Sequence, residues 1–404
     1  MPIDIDKVRS EIPAASRSIY MNTGWAGLRP NSVTQAIKER YDYEASDGPG
    51  HAVAVISAQE AQVKLKSNLG RLIGVTAEEI TFTQNTTEAL NMVFNGLPLQ
   101  SGDEIVFCDL EHTAVVIPAL FQKRRGCLVK VVKIDAADDK AAILNKFNDA
   151  ITGKTKLVIT SHIQYSTGLR MPVKEISALA HQRGAWMLVD GAQAVGHINV
   201  NMPDVGADFY AFPGHKWLLG PEGIGVLYIR REIVSKVEPI ILSEDSVTGF
   251  GFDGNYIPNQ NNMSKFTPST QAPALLVGLN AAVEYISAIG VPSIEAHVMD
   301  LASLLKRAMP KIAGVSLLSK VDGELATGIV SFQIKGADPS EVATNLWNSG
   351  HCVARWINYP ACTRLCISFF NNDRDVNGVF GVLRKVADSA GSDQEFEKLK
   401  KSFF

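Results

Sequence analysis

Three short apolar runs in the middle of the chain constrain the fold most strongly. They cover residues 128–132, 157–160 and 186–189, and they are apolar except for Lys130 and Thr160, which is typical of strands buried on both faces of a sheet. Between the last two runs, residues 173–183 have helical periodicity that ends at Gly184. A strand, helix, strand order favours a parallel sheet covered by helices. The sequence therefore predicts an α/β fold.

Composition excludes several function classes. The net charge is −3 with a pI near 6.3, and Lys and Arg are scattered, so no basic patch for nucleic acid or a membrane surface is expected. No apolar run approaches 18 residues and the N-terminus lacks the pattern of a signal peptide, which favours a cytoplasmic location. The five cysteines are odd in number and form no C-x-x-C pair, so we expect buried free thiols and no metal site.

Lys216 lies in a glycine-flanked turn between the apolar runs 209–212 and 224–229. Removal of a lysine from water lowers its pKa. A neutral amine is a nucleophile for a carbonyl group, so Lys216 is a candidate to form a Schiff base. The alternative is a surface lysine in a Gly-rich hairpin.

Asp190 follows the apolar run 186–189 directly. A carboxylate at the end of a buried strand needs a cation or a hydrogen-bond donor, and a protonated pyridine nitrogen is one such group. The alternative is an N-cap for the next helix. Ligands of parallel sheets bind at the carboxyl ends of the strands, where further polar side chains also fall: His162, Gln164, Ser166 and Gln193.

A phosphate site is predicted at residues 85–88. Asn85 followed by Glu88 resembles a capping box that opens a helix to about residue 94. The free N–H groups of a helix N-terminus bind anions, and Thr86 and Thr87 add two hydroxyl groups. An isolated capping box without a ligand is the alternative.

Several segments occur together in the order of one known family. They are N-T-T-E-A-L-N (85–91), E-H-T-A (111–114), S-H-I-Q-Y-S-T-G (161–168), D-G-A-Q (190–193), G-H-K-W (214–217) and T-R-L-C-I-S-F (363–369). Nearly the whole chain resembles the class-V aminotransferase group of fold-type I pyridoxal-phosphate enzymes, which includes cysteine desulfurases and cyst(e)ine C–S lyases.

The resemblance implies a fold and a division into domains. We expect a large domain, residues 20–290, with a mostly parallel seven-stranded sheet. A smaller α+β domain would span residues 291–404, because the strand and helix pattern changes near Pro292. An N-terminal arm, residues 1–19, would pack with the small domain.

The resemblance also implies roles for residues around pyridoxal 5'-phosphate. Lys216 would carry the cofactor, Asp190 would hold its ring nitrogen protonated, and Gln193 would contact its phenolic oxygen. Thr86 and Thr87 would bind the phosphate, and His112 would stack on the ring and help proton transfer, although a capping histidine is the alternative.

Two further contacts to the cofactor phosphate are implied. Residue 213, which usually carries a hydroxyl group, is proline here, so His215 would compensate. Thr270, at the end of a long polar segment 243–264 that we expect to be a loop, would reach the phosphate of the neighbouring subunit. That contact implies a homodimer with shared active sites; an N-cap for the helix 274–289 is the alternative.

The resemblance assigns the substrate side to a second group of residues. Arg364, at the start of a predicted strand 365–370, would grip the α-carboxylate of an amino acid, since arginine binds carboxylates bidentately. Asn22 and Trp25 would line the entrance, and Arg355 would contact the substrate side chain. Ser166 replaces the usual asparagine.

These assignments predict β-elimination on cysteine, cystine or an S-substituted cysteine, including a sulfoxide, with pyruvate, ammonia and a thiol, persulfide or sulfenate as products. A cysteine desulfurase needs a thiolate on a mobile loop. Cys352 superficially resembles that thiol, but it begins a predicted strand 352–356 instead of following it. The alternatives are a desulfurase, an aminotransferase or epimerase of the same family, and a regulator without catalysis.

Overall fold

The computed structural model describes residues 3–402, with side chains described as far as residue 388. Its helices, in chain order, are α1 (Ile5–Glu11), α2 (Asn31–Asp47), α3 (Ala52–Ile73), α4 (Thr86–Gly96), α5 (Thr113–Phe121), α6 (Lys140–Ala150), α7 (Val173–Gln182), α8 (Met202–Val205), α9 (Pro273–Ile289), α10 (Val291–Ala308), α11 (Pro339–Gly350) and α12 (Asp373–Ser402). Its strands are β1 (Ile19–Tyr20), β2 (Ile80–Thr83), β3 (Glu104–Cys108), β4 (Leu128–Val132), β5 (Thr155–Ser161), β6 (Trp186–Asp190), β7 (Phe209–Pro213), β8 (Gly225–Ile229), β9 (Val247–Phe250), β10 (Tyr256–Pro258), β11 (Val315–Leu317), β12 (Ile329–Ile334), β13 (Cys352–Val353), β14 (Arg355–Asn358) and β15 (Ala361–Cys366).

A large sheet organises the first two thirds of the chain. Within residues 3–402 it contains seven strands in the order β2-β8-β7-β6-β5-β3-β4. The strands from β7 to β4 are parallel, and β8 runs antiparallel to both β7 and β2. The predicted α/β fold with a mostly parallel seven-stranded sheet is therefore confirmed.

The strand β6 shows why the run 186–189 is continuously apolar. Met187 and Val189 pack into the core on one face of the sheet, whereas Leu188 packs into the core on the other face. Successive side chains of a strand point to opposite faces, so a strand with a core on both sides needs apolar residues at every position. Full burial of one such side chain contributes about 1.5–3 kcal/mol. The expectation of burial on both faces is wrong for β4, which is an edge strand of the sheet and is mostly exposed or half-buried.

A second, antiparallel sheet lies in the last third of the chain. Its strand order is β11-β12-β15-β14, with its own apolar core. The predicted strand 365–370 instead spans Ala361–Cys366, which places Arg364 inside the strand. The predicted strand 352–356 is divided: β13 pairs with β1 and β14 pairs with β15. A short hairpin between β14 and β15 sets this register, which periodicity alone does not reveal.

The N-terminal arm contacts both parts of the molecule. Val8 and Ile12 belong to the larger core of the main sheet, while Arg9 Nη1 lies 2.8 Å from Asp375 Oδ2 near the start of α12. The arm therefore packs against more than the C-terminal part, because its apolar face needs the larger core. The domain boundaries after residues 19 and 290 remain predictions.

The segment 243–264 is more ordered than the expected loop. It contains the antiparallel hairpin of β9 and β10 and a short 3-10 helix, Met263–Phe266. Phe250 and Phe252 are exposed on this hairpin. Alternation of apolar and small residues is a strand signal that the Gly and Asn content of this segment obscured.

Within residues 3–402, no single helix has both the length and the apolar composition to cross a bilayer. The helices Pro273–Ile289 and Val291–Lys311 reach those values only as a pair bent by 74°.

A row of hydrogen bonds joins the two sheets; we call it the seam. Three hydroxyl groups from the smaller sheet and the segments flanking it donate to three consecutive carbonyl groups after β5: Ser331 Oγ to Ser166 O at 2.5 Å, Ser319 Oγ to Thr167 O at 2.5 Å, and Thr327 Oγ1 to Gly168 O at 2.7 Å. Gly168 has φ +72°, and a Cβ there would lie 2.6 Å from Ile329 Cβ. The seam therefore fixes β12, and with it β15, against the large sheet.

Candidate active site

A cavity of about 340 Å³ opens at the carboxyl ends of β5 and β6, beside the connection from β7 to β8. Most of the predicted site residues line it: Trp25, Thr86, Thr87, His112, Asp190, Gln193, His215, Lys216, Arg355 and Arg364. Residues that are far apart in the sequence therefore meet at the position that the parallel sheet predicts for a ligand.

Lys216 lies in the connection between β7 and β8. The N–H of Leu219 donates to Lys216 O at 3.1 Å, and Leu219 adopts φ +59°, a costly conformation for a residue with a side chain. Burial lowers the pKa of Lys216 to about 8, although the nearby Asp190 opposes this shift. At pH 7.5 about a quarter of such amines are neutral, far more than for an ordinary lysine.

Asp190 ends β6 and is buried. Its Oδ1 accepts a hydrogen bond from Ala192 N at 2.9 Å. Burial raises its pKa to about 6, and the positive charge of Lys216 partly offsets that rise. A buried carboxylate of this kind favours a cationic ligand group, such as a protonated ring nitrogen.

Gln193 has a defined amide orientation. Trp217 Nε1 can only donate, and it lies 2.8 Å from Gln193 Oε1; Gly24 O can only accept, and it lies 2.9 Å from Gln193 Nε2. A Cβ on Gly24 would come within 2.9 Å of Gln193 Oε1 and 2.7 Å of Cys366 Sγ, so the close approach requires glycine. The remaining N–H of Gln193 is a donor that suits an anionic oxygen.

The predicted phosphate site is at the N-terminus of α4. Asn85 caps this helix, accepting from Glu88 N at 3.0 Å. Thr86 Oγ1 and His215 Nδ1 are buried and have no hydrogen-bond partner within the described residues. Buried polar atoms normally have partners, and these two beside a helix N-terminus fit a phosphate group. The residues present therefore fit pyridoxal phosphate at both its ring and its phosphate.

His112 is the N-cap of α5. Its Nδ1 accepts from Ala114 N at 3.1 Å, so the proton of the neutral ring is on Nε2. Burial, with Lys216 and the two cavity arginines, lowers its pKa to about 4. His112 is therefore uncharged near neutral pH, which favours packing against a ring over proton transfer as an imidazolium.

Two arginines lie side by side in the cavity wall. Arg355 on β14 is directly opposite Arg364 on β15, so both side chains lie on one face of the sheet. Arg364 is 2% exposed, and its Nη1 donates to Tyr165 O at 2.8 Å while its Nε has no partner in the described residues. Arg355 stacks on Trp25 at 3.6 Å. Like charges directly opposite each other are destabilising, and an anionic ligand relieves that repulsion.

Three predicted residues do not line the cavity. Ser166 is buried behind it, where its carbonyl group belongs to the seam. Asn22 bridges to Cys366 and buries Oδ1 without a partner in the described residues. Thr270 is exposed and lines a separate hollow of about 390 Å³ together with Gln84 and Glu88. Their roles remain predictions.

Sequence reasoning missed two residues that build the site. Tyr165 lines the cavity, holds Arg364 through its carbonyl group, and packs edge-on against His112 at 4.9 Å. Glu111 is buried and accepts from Ser161 N at 2.9 Å and from Gln164 Nε2 at 2.8 Å, tying the ends of β3 and β5 together. A signal for Glu111 existed, because an acidic residue three positions after a buried strand needs partners if it is buried too.

Comparison with known proteins places these residues in a family. The aminotransferase class-V model matches residues 19–379. A curated relative, the probable cysteine desulfurase of Methanothermobacter thermautotrophicus, is 34% identical over 397 residues, which cover 95% of this chain and 98% of that protein.

Solved structures agree with this relationship. The apo cysteine desulfurase of Thermococcus onnurineus NA1 has a TM-score of 0.88 and 28% identity, covering 96% of this chain and 99% of that one. The cystine C–S lyase C-DES, in complex with its product cysteine persulfide, has a TM-score of 0.85 and 26% identity over 93% of this chain and 99% of that one. A mutant of C-DES carries glycine covalently linked to the PLP cofactor. With the family match across most of its length and a fitting cofactor site, the chain belongs to the class-V aminotransferases, which are pyridoxal-phosphate enzymes.

Proposed function

We propose that this enzyme is a C–S lyase that catalyses β-elimination on cysteine, cystine or another S-substituted cysteine. The curated relatives are named cysteine desulfurases, and one similar structure is a cystine C–S lyase. Both activities break the C–S bond of a cysteine derivative, and the two differ in what accepts the sulfur.

The observation that carries the proposal is the burial of every thiol. All five cysteines of the sequence lie within the described residues, and all are free and buried. Burial raises the pKa of Cys352 to about 12 and that of Cys362 to about 11. A desulfurase uses a cysteine thiolate as the sulfur acceptor, and reactive thiolates are partly exposed and have a lowered pKa. Elimination, in which sulfur leaves with its own electron pair, needs no acceptor thiol.

The connection between β14 and β15 supports the same conclusion. The two strands pair up to Asn358 and Ala361, so only Tyr359 and Pro360 lie between them. A loop of two residues cannot carry a thiol into the cavity and withdraw it again.

Each of the main cavity residues has a separate role in the proposed reaction. When bound, pyridoxal phosphate supplies an electron sink that stabilises negative charge on the substrate α carbon. Asp190, ionised above about pH 6, keeps a proton on the ring nitrogen. Arg364 holds the α-carboxylate and thereby orients the α hydrogen. Lys216 Nζ, whose pKa is lowered to about 8, is the base that removes the α-proton.

The elimination is balanced without an oxidant. The α-proton goes to Lys216, the Cβ–S bond breaks, and sulfur leaves with the bonding electron pair as a thiolate or, from cystine, as cysteine persulfide. The remaining three-carbon enamine takes up water and gives pyruvate and ammonia.

Arg355 supports a substrate with a second anionic or polar group. It lies opposite Arg364 and its guanidinium covers the exposed ring of Trp25, so it forms one side of the cavity mouth. The distal carboxylate of cystine matches this cation. We therefore expect Arg355→Gln to raise KM for cystine more than KM for cysteine.

A product assay tests the proposal. The holoenzyme is incubated with cysteine, cystine or an S-substituted cysteine, including a sulfoxide, and pyruvate, ammonia, alanine and sulfane sulfur are quantified. We expect pyruvate and ammonia in equal amounts without alanine. The variants Cys352→Ala and Cys362→Ala should keep the parent rate, with Cys127→Ala, far from the cavity, as the matched control.

The second candidate is a cysteine desulfurase, which the names of the curated relatives favour. It predicts alanine instead of pyruvate, persulfide on the protein, and loss of turnover in one of the cysteine variants. Either alanine as the main product or a cysteine variant without turnover would exclude the lyase.

A further inference from the structure

His197 is a buried histidine next to the cavity with both ring nitrogens in use. Gly328 N donates to His197 Nε2 at 2.9 Å, so Nε2 is an acceptor and the proton lies on Nδ1. His197 Nδ1 in turn donates to Gln193 O at 2.9 Å. Neither nitrogen can take another proton without losing a hydrogen bond, and burial lowers the pKa of the ring to about 3. His197 is therefore neutral, with Nδ1 fixed as a hydrogen-bond donor and Nε2 fixed as an acceptor.

The face of the same ring fixes the residue after the catalytic lysine. His197 stacks on Trp217 with a centroid distance of 3.7 Å and an interplanar angle of 12°. Trp217 Nε1 donates to Gln193 Oε1 at 2.8 Å. His197 thus acts on Gln193 twice, through its backbone carbonyl group directly and through its side-chain amide by way of Trp217.

This arrangement decides which end of the Gln193 amide faces the cavity. With Oε1 occupied by Trp217 and one N–H of Nε2 occupied by Gly24 O, the group left over is an N–H. If Trp217 shifted, the amide could turn and present its oxygen, which would repel an anionic oxygen of the cofactor.

The Nε2 side of the His197 ring contacts the segment that leads into the smaller sheet. Gly328 immediately precedes β12, and a Cβ at this glycine would lie 2.8 Å from His197 Nε2 and 2.2 Å from Val298 Cγ1. The approach is too close for any other residue. His197 therefore couples the position of β12 to the cofactor contacts of the large sheet.

We propose that His197 is a positioning residue that keeps Gln193 as a hydrogen-bond donor to the phenolic oxygen of pyridoxal phosphate and holds the Lys216–Trp217 turn in register with it. This proposal deepens the cofactor part of the proposed function. It does not depend on which amino acid is the substrate.

The test uses the bound cofactor as its own reporter. Holoenzymes of the parent, His197→Phe and His197→Gln are titrated with pH by visible absorption, and cofactor release is followed after dilution. Phenylalanine keeps the ring on Trp217 but removes both hydrogen bonds, whereas glutamine can donate and accept. A weaker donor to the phenolic oxygen raises the midpoint of the absorption change, by about half to one pH unit for one hydrogen bond.

We expect His197→Phe to show that rise and to release cofactor about five to ten times faster, and His197→Gln to recover most of both. His297→Phe is the matched control, because His297 is half-buried and its Nε2 also bonds a backbone carbonyl, Asn371 O at 2.9 Å. It should lower the melting temperature without changing the midpoint.

An unchanged midpoint and unchanged release in His197→Phe would overturn the proposal. If that variant fails to fold, Trp217→Phe removes only the indole N–H and is measured in its place, with the same expected direction and the same overturning result. Because no substrate enters these measurements, a failed product assay leaves them interpretable, and the reverse also holds.

Discussion

The seam and the cavity are built from the same kinds of polar groups but differ in how those groups are paired. In the seam, Ser319, Thr327 and Ser331 each donate to a backbone carbonyl group at 2.5–2.7 Å. In the cavity, Thr86 Oγ1 and Arg364 Nε are buried and have no partner within the described residues. Paired groups hold the two sheets together, whereas unpaired groups at the cavity favour a ligand that completes them.

This difference separates two kinds of mutational effect. Removing a seam hydroxyl takes a hydrogen-bond donor from a buried carbonyl group, which lowers the free energy of unfolding. Removing a cavity group that has no protein partner takes little from the folded state and acts on binding or catalysis. Substitutions in the two regions should therefore differ in which measurement they change.

Lys216→Ala should give the largest effect of all. Because the variant lacks the base for the α-proton, we expect product formation to fall by about 10³-fold or more. The melting temperature of the apo-protein should not fall, since a buried amine is removed. Lys133→Ala is the control, because that side chain is 78% exposed. A turnover within tenfold of the parent would break the assignment of the base.

Arg364→Ala should come next. Truncation of a buried charge partner costs about 2–5 kcal/mol of binding, so we expect KM to rise at least about thirtyfold. The free energy of unfolding should fall by about 1–3 kcal/mol, because Tyr165 O loses its donor. Arg364→Lys should recover part of the loss, since it keeps the charge but not the bidentate geometry. Loss of stability without a change in KM would place Arg364 with the seam instead.

Ser331→Ala tests the seam, where we expect an effect on stability and not on catalysis. The change leaves Ser166 O without its hydroxyl donor, and we expect the free energy of unfolding to fall by about 1–3 kcal/mol. KM and kcat should stay within about twofold of the parent. Ser10→Ala removes an exposed hydroxyl that bonds Lys7 O and should change stability by less than about 0.5 kcal/mol.

Asp190→Asn should change the stability of the apo-protein with the opposite sign. Folding raises the pKa of Asp190 from 3.8 to about 6, so ionisation costs stability as the pH rises through that range and nothing below it. We expect the apo variant to be more stable at pH 7.5 by about 1–3 kcal/mol, because the rise in pKa, in which the attraction to Lys216 is already included, is worth at most about 3 kcal/mol.

The pH profile checks this sign. Denaturant unfolding of parent and variant should show the gain at pH 7.5 and no gain below about pH 4, where the parent carboxyl group is protonated too. A gain that persists at low pH would show that packing, not charge, is responsible.

The sequence was most informative where chemistry is local. The buried strands β5 and β6, the cap of α4 at Asn85, and Asp190 and Gln193 after β6 all lie where their patterns predict, because these signals depend on neighbours along the chain. Lys216 and Asp190 line the same cavity, as expected from the ends of adjacent strands of a parallel sheet.

The features of the site that the sequence did not predict depend on packing between distant segments. Arg355 lies opposite Arg364 only because of the hairpin register. The amide of Gln193 is oriented by Trp217 and Gly24, and Ser166 faces the seam although it follows a predicted ligand strand. None of these contacts leaves a periodic signal, since side-chain direction is fixed by tertiary neighbours.

The burial of the five cysteines has a consequence for the lifetime of the enzyme. Persulfides and sulfenates modify accessible thiols, and a catalyst that releases them is itself the nearest target. Because its five cysteines are buried, the proposed persulfide or sulfenate product would meet no accessible thiol on this protein, and its half-life in turnover should match its half-life at rest.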